Sequence, residues 1–326
     1  MKRKSFILVT GAAGFIGFNL SISLLKDKKR IIGIDNVNDY YSVQLKKNRI
    51  KQLKKFKNFK FYKVDLANYK ALNNIFTKYK IEKIIHLAAQ AGVRYSIVEP
   101  KKYLKSNFVG FFNIIELSRL KRINKIIYAS SSSVYGNSKK FPLKENHTIN
   151  PNNFYGLSKK NNEETASIFS KYYDIKFIGI RFFTVYGEWG RPDMSIYKFI
   201  DASFKNKIFF LNNYGNHQRD FTYIKDVVAI LKKIKFKKNI KNEIYNICSN
   251  KPIKLTKIFS ILSKHMTMPL IKKRKLQQAD VIKTHGDNTK VINETNFNRF
   301  TSFDKGLLNT LNWYKQYNKI KLSQKP

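Results

Sequence analysis

The sequence predicts an α/β protein in which a doubly wound parallel sheet carries a smaller, discontinuous C-terminal lobe. Three observations lead there. Short apolar runs alternate with longer amphipathic stretches through the first 180 residues, three glycines fall between the first run and the first stretch, and the alternation breaks down after Arg181. Strand, helix, strand repetition calls for parallel strands with right-handed crossovers. A chain of 326 residues is long enough for a large core with a second lobe beside it.

In chain order, β-branched and aromatic residues mark strands at 6–10, 30–34, 59–64, 83–87, 125–129 and 177–180. Between them, 15–26, 43–55, 69–79, 102–120 and 157–173 have the length and spacing of helices. Gly187, Gly190 and Pro192 then interrupt the pattern, a helix is expected at 195–204, and 212–216 reads as a turn. Residues 223–234 look like a strand end running into a helix, and 244–247 like a strand, both returning to the main sheet. The Lys/Asn-rich stretch 232–241 reads as a solvated loop.

The formal charge is +43, from 64 Lys and Arg against 21 Asp and Glu. Such a balance raises nucleic-acid or membrane-surface binding. The lysines, however, are scattered among Asn and Ile instead of forming one arm or stripe, and no nucleic-acid-reading motif accompanies them. No dedicated nucleic-acid binding is expected, and the positive field favours an anionic small substrate. Aliphatic and aromatic residues make up 43% of the chain, which argues against disorder. Cys248 is the only cysteine and no His/Cys cluster has zinc spacing, so a reducing cytoplasmic compartment and no metal are expected. The apolar stretch after Ser5 runs into a folded-domain motif, unlike a signal peptide, and no run of about 18 apolar residues is present to span a membrane.

Phe6-Ile7-Leu8-Val9-Thr10 leads into Gly11-Ala12-Ala13-Gly14-Phe15-Ile16-Gly17, a G-x-x-G-x-x-G pattern between strand and helix. Gly11 permits a tight turn, Gly14 lets backbone approach a pyrophosphate, and Gly17 lets the helix pack close to the strand. Helix-start N–H groups then meet phosphate charge. Asp35 follows at the end of the second strand, where a carboxylate accepts hydrogen bonds from the adenosine ribose and repels a 2′-phosphate, so NAD is expected over NADP. Asp65, after the third strand, is a candidate for the adenine edge. Residues 1–181, with 223–250 returning, are thus expected to form a Rossmann-type NAD-binding domain, and 182–222 with 251–326 a substrate lobe.

Tyr155 and Lys159 stand four apart at a helix start, hence on one face. A neighbouring cation favours the phenolate that a base requires, since a free tyrosine titrates near ~10. Upstream, Ser130-Ser131-Ser132-Ser133-Val134-Tyr135-Gly136 offers a hydroxyl for a hydrogen bond to a reacting sugar oxygen.

The glycine turn, the serine run, Tyr155/Lys159 and Arg181-Phe182-Phe183-Thr184-Val185-Tyr186-Gly187 together resemble the extended short-chain dehydrogenase/reductase family of NAD-dependent epimerases and dehydratases. The resemblance implies Ser131, Tyr155 and Lys159 as catalytic residues. It implies NAD contacts from Gly11, Gly14, Phe15, Ile16, Gly17, Asp35, Asn36, Asp65, Leu66, Leu87, Ala88, Ala89, Gln90, Asn107, Tyr155 and Lys159. Within the family, Asp35 to Tyr41, His86 to Tyr95, Gly190 to Met194, Asn213 to Gly215, Arg219 to Tyr223 and Leu311 to Tyr314 are similar to UDP-glucuronate 4-epimerases, so the likeness spans nearly the whole chain.

By that likeness, dehydratases and decarboxylating relatives carry a carboxylate beside the catalytic hydroxyl, where this chain has Ser132 and Ser133. What remains is reversible oxidation at carbon 4 of a UDP-sugar, UDP-glucuronate to UDP-galacturonate, through a transient ketone. Ser131, Ser132, Ser133 and Thr184, with Arg191, are expected to hold the substrate carboxylate. Arg219 resembles a diphosphate ligand and Asp280 a uridine-ribose contact, while Arg94 reads either as a substrate contact or as a helix-start charge. UDP-glucose or a UDP-N-acetylhexosamine is the alternative substrate, and a silent dinucleotide- or nucleic-acid-binding protein the non-enzyme alternative. The likeness also implies a homodimer through a helix pair that includes 102–120 and 157–173.

Overall fold

A computed structural model describes residues 5–239, 241–278 and 280–319. Residues 1–4 and 320–326, the outer ends of the two expected domains, lie outside the described residues. Strands β1 (Phe6–Thr10), β2 (Ile31–Asp35), β3 (Phe59–Lys63), β4 (Ile81–His86), β5 (Lys125–Ser131) and β6 (Lys176–Phe182) share one sheet with β10 (Asn242–Ile247). Its order is β10-β6-β5-β4-β1-β2-β3, and every adjacent pair is parallel. Central strands of such a sheet are buried on both faces, which is why their sequences are continuously apolar. In β1, Ile7 and Val9 join the core under α1 (Phe15–Lys26), whereas Leu8 points into the core under α3 (Tyr69–Lys78).

Helix α2 (Val43–Leu53) follows β2, and the short α4 (Tyr95–Val98) and α5 (Pro100–Tyr103) follow β4. The helix expected at 102–120 is broken: Leu104–Val109 is π-helical before α6 (Gly110–Leu120) resumes. The wide turn carries Asn107 inward, and at Gly110 an added Cβ would lie 2.9 Å from Leu66 Cβ. Helix α7 (Phe154–Tyr172) starts earlier than its apolar spacing indicates, because Asn153 caps it by accepting from Gly156 N at 2.8 Å.

Beyond β6 come β7 (Thr184–Tyr186), α8 (Ser195–Phe204), β8 (Phe209–Asn212), β9 (Gln218–Tyr223) and α9 (Ile224–Lys233). After β10 follow β11 (Pro252–Lys254), α10 (Leu255–Leu262), β12 (Ile271–Arg274), α11 (Thr289–Thr295) and α12 (Phe303–Tyr317). They form a three-stranded β11-β9-β7 sheet and a two-stranded β12-β8 sheet. Among the described residues no helix is long and apolar enough to cross a membrane, and no group of three or more His, Cys, Asp or Glu is placed to hold a metal.

One buried ion pair welds β5, β6 and α7. Arg181 donates to both oxygens of Glu163, at 2.9 and 2.7 Å, with side-chain exposures of 5% and 7%. Ser130 Oγ donates to the same carboxylate, and Tyr135, receiving from Arg181, donates to Asn246 Oδ1 in β10. Glu163→Ala leaves this guanidinium uncompensated and is expected to cost about 3–5 kcal/mol of stability, read as a lower urea midpoint.

Candidate active site

The C-terminal ends of the main strands open onto one cavity of about 1160 Å³ between sheet and lobe, the usual ligand position in a doubly wound fold. With the exception of Asn107, every candidate residue of the sequence lies on its wall.

At the dinucleotide end, Gly11 has φ +71°, and a Cβ there would lie 2.8 Å from Ala88 N. A Cβ on Gly17 would stand 2.1 Å from Gly11 O, so α1 can begin this close to β1 only with glycine. The Gly11, Gly14, Phe15, Ile16, Gly17 turn therefore offers bare backbone at a helix start, a cradle that fits a pyrophosphate. Asp35 accepts from Ala13 N at 3.0 Å and from Val37 N at 2.8 Å. Burial pushes its carboxyl up, against the pull of those amides and of Lys46 and Arg49. Asp65 accepts from Ala67 N and pairs with Lys105 at 3.0 Å, which outweighs burial and holds it below the usual range. Asn36, Leu66, Leu87, Ala88, Ala89 and Gln90 line the wall between. Asn107 sits behind it: fully buried, it accepts from Gln90 N at 2.7 Å and donates to Gln90 O and Ser158 Oγ.

Sequence reasoning missed two buried cations on α2. Lys46 donates to Asn38 O and Oδ1, both at 2.6 Å, over the Tyr41 ring, and burial lowers it to about 8. Arg49 donates to Ala13 O and Tyr41 Oη, each at 2.8 Å, and to the carbonyls of Trp189 and Gly190. A signal existed: both charges fall on the face of α2 that buries Leu45, Ile50 and Leu53.

At the reaction centre, Ser131 ends β5 and its Oγ accepts from Ser133 N at 3.1 Å, which fixes the serine turn. Tyr155 and Lys159 lie one turn apart on α7. Burial raises the Tyr155 phenol, opposed by a hydrogen bond from Ser131 and by the charge of Arg191. The cation acting on the phenol is thus Arg191, whereas Lys159 donates to Ala129 O at 2.9 Å and is lowered by burial to about 8. His86, bonded to Thr10 Oγ1 at 3.0 Å, is pushed by burial and by Lys159 to about 3 and stays neutral.

On the lobe side, Thr184, Arg191, Arg219 and Asp280 face the cavity. Arg191 makes a two-point contact with Asp193. Arg94 grips Asp280 with two hydrogen bonds, 2.9 and 2.6 Å, linking the loop after β4 to the lobe. Arg219 donates to the carbonyls of Gln218 and Ile282, both at 2.9 Å, and burial brings it down to about 10 despite Asp280. His217, buried, places Nε2 3.8 Å from Asp280, and burial lowers it. Nothing in its sequence context singled it out.

The sequence matches the model of the NAD dependent epimerase/dehydratase family over residues 7–248. It is 39% identical over 325 residues to a UDP-glucuronate 4-epimerase of Thermodesulfobacterium geofontis, covering 95% of this chain and 96% of that one. The fold is similar, with a TM-score of 0.90 and 30% identity, to the UDP-glucuronic acid 4-epimerase of Bacillus cereus in complex with UDP-glucuronic acid and NAD, covering 95% and 99% of the two chains. It is also similar to a UDP-glucose 4-epimerase of Thermotoga maritima bound to UDP-glucose, with a TM-score of 0.86, 26% identity and coverage of 96% and 99%.

In NAD-free protein the folded state holds Lys159 less protonated than the unfolded chain between about pH 8 and 10.5. The unfolded state then binds more protons, so this residue makes stability rise with pH across that window. Lys159→Met is expected to flatten the rise, measured as the difference between the two pH–stability curves.

Proposed function

We propose that this chain, which belongs to the NAD dependent epimerase/dehydratase family and is an NAD-dependent enzyme acting at carbon 4 of UDP-sugars, interconverts UDP-glucuronate and UDP-galacturonate. The observation that carries the reading is the wall around Tyr155. Ser131, Ser132 and Ser133 present hydroxyls there, and Arg191 supplies a cation across the cavity. The carboxylate behind the serines, Glu163, is pinned by Arg181 and points away as part of the core. No carboxylate therefore stands among the serine hydroxyls to expel water, and Arg191 offers an anion-binding group.

NAD, when bound on the glycine turn, supplies the hydride acceptor and donor for carbon 4. Tyr155 takes the proton of the 4-hydroxyl while Ser131 holds the oxygen, and Tyr155 returns the proton after the ketone has turned over. Lys159, one turn along α7 from Tyr155 and tied to Ala129 O, would hold the bound cofactor beside this pair. Arg219 and Asp280 anchor the nucleotide from the lobe, 182–222 and 251–319, so that the sugar turns while the UDP stays. The ketone of a uronic acid is a β-keto acid, prone to lose carbon dioxide. Ser132, Ser133, Thr184 and Arg191 restrain that carboxylate. Exposed apolar side chains on α6 and α7, among them Phe112, Leu157 and Ile168, suit a homodimer through these helices.

Two measurements test the reading. Carbon 4 inversion assayed side by side is expected to favour UDP-glucuronate over UDP-glucose, and preference for the neutral sugar would overturn the assignment. Tyr155→Phe is expected to lower kcat by roughly 100-fold or more while the purified protein keeps its NAD; loss of NAD together with activity would assign Tyr155 to cofactor retention instead.

A further inference from the structure

Arg191 lies on a strap, Trp189 to Asp193, that is held at both ends from the dinucleotide half. At one end Arg49 donates to the carbonyls of Trp189 and Gly190, fixing Trp189 at φ +60°, a left-handed conformation that a bulky residue rarely adopts. At the other end Tyr40 Oη donates to Asp193 Oδ2 at 3.1 Å. Tyr40 is itself wedged in place. Its ring lies 4.6 Å from that of Tyr95, and its hydroxyl stands 2.2 Å from where a Cβ on Gly92 would be. Between these anchors Arg191 turns onto Asp193, Nε to Oδ1 at 3.0 Å and Nη2 to Oδ2 at 2.5 Å.

We infer that Asp193 is a specificity-determining residue: its carboxylate holds the Nε–Nη2 edge of Arg191 and leaves the substrate's own carboxylate the remaining edge, beside a negative charge. The inference rests on the reading that Arg191 receives a uronate. A planar guanidinium carries five N–H donors on two edges, so a second carboxylate can take the Nη1–Nη2 edge only by lying against the charge of the first. A neutral sugar leaves the pair intact. A uronate must share the guanidinium with Asp193 and lie beside its negative charge. Asp193 thus lowers affinity for the acidic sugar, and in exchange keeps a cavity-wall guanidinium neutralised when no substrate is bound. Arg191 and Asp193 have side-chain exposures of 22% and 23%, so the pair is shielded enough to form well and open enough for a second anion to reach it.

Asp193→Asn removes the charge and keeps an acceptor for Tyr40. Dissociation constants for UDP-glucuronate and UDP-glucose are compared by calorimetry on NAD-loaded wild type and variant. The ratio of the UDP-glucose constant to the UDP-glucuronate constant is expected to rise about tenfold, through tighter UDP-glucuronate, with UDP-glucose within about twofold. An unchanged or smaller ratio overturns the inference and makes Asp193 an aligner of Arg191. In Arg191→Met/Asp193→Asn the gain disappears; a gain that persists also overturns it. Should Asp193→Asn fail to fold, Tyr40→Phe loosens the same carboxylate and is expected to move the ratio upward by a smaller factor, and no movement counts against the inference. Wild-type turnover of UDP-glucuronate decides the substrate reading separately, because the binding ratio is measurable whichever sugar is epimerised.

Discussion

The contact between Gly17 and Gly11 O governs much else in the molecule. With no side chain at Gly17, α1 starts directly above the end of β1, and the intervening turn is pulled tight enough for its backbone to serve as a docking surface on both sides. Ala13 N reaches Asp35, and Ala13 O reaches Arg49. From Arg49 the same guanidinium continues to Trp189 and Gly190, and so to the strap that carries Arg191. A glycine that would be read only as a cofactor signal is therefore also the first link in a chain of hydrogen bonds ending on the substrate side. Displacing the turn by a methyl would shift two ligand sites together.

On the cavity wall, and at Arg49 behind it, lie cations whose hydrogen-bond partners are neutral. Lys46 bonds to Asn38, Arg49 to carbonyls and a phenol, Lys159 to Ala129 O, Arg219 to two carbonyls. Burial lowers Lys46 and Lys159 to about 8 and Arg219 to about 10, so each is held where its charge is poorly compensated. Such groups gain most from an anion delivered by a ligand. A dinucleotide pyrophosphate and a nucleotide diphosphate are anions of that kind, and the scattered surface lysines add only long-range attraction, screened beyond about 10 Å at ordinary salt.

What could be read from the sequence was what lies close along the chain. Gly11, Gly14 and Gly17, or Tyr155 and Lys159, encode their geometry through helix and turn periodicity, and the strand–helix alternation follows from burial on both sheet faces. Arg49 with Gly190, Tyr40 with Asp193 and Arg94 with Asp280 are joined only by the fold, and no local pattern announces them. The π turn at Leu104–Val109 escaped for a similar reason: its cause is Asn107 reaching Gln90, not the spacing of its apolar residues. Strand β12, Ile271–Arg274, escaped because an exposed edge of Lys and Arg lacks the apolar alternation that marks a strand.

Among the described residues four arginines grip a carboxylate with two hydrogen bonds; Arg119 and Glu116 do so within α6, and the burial of the other three assigns them different work. Arg181 and Glu163 are sealed in the core, where separating the charges is costly, so the pair is permanent and fixes the floor under the serine turn. Arg94 is half exposed against a nearly buried Asp280, and water can replace it at little cost, so that pair holds loop and lobe together weakly. Arg191 and Asp193 stand between these limits, on the wall of the cavity. At intermediate burial the pair keeps its two hydrogen bonds and still leaves the Nη1 side of the guanidinium to a second anion, which must then lie beside the charge of Asp193.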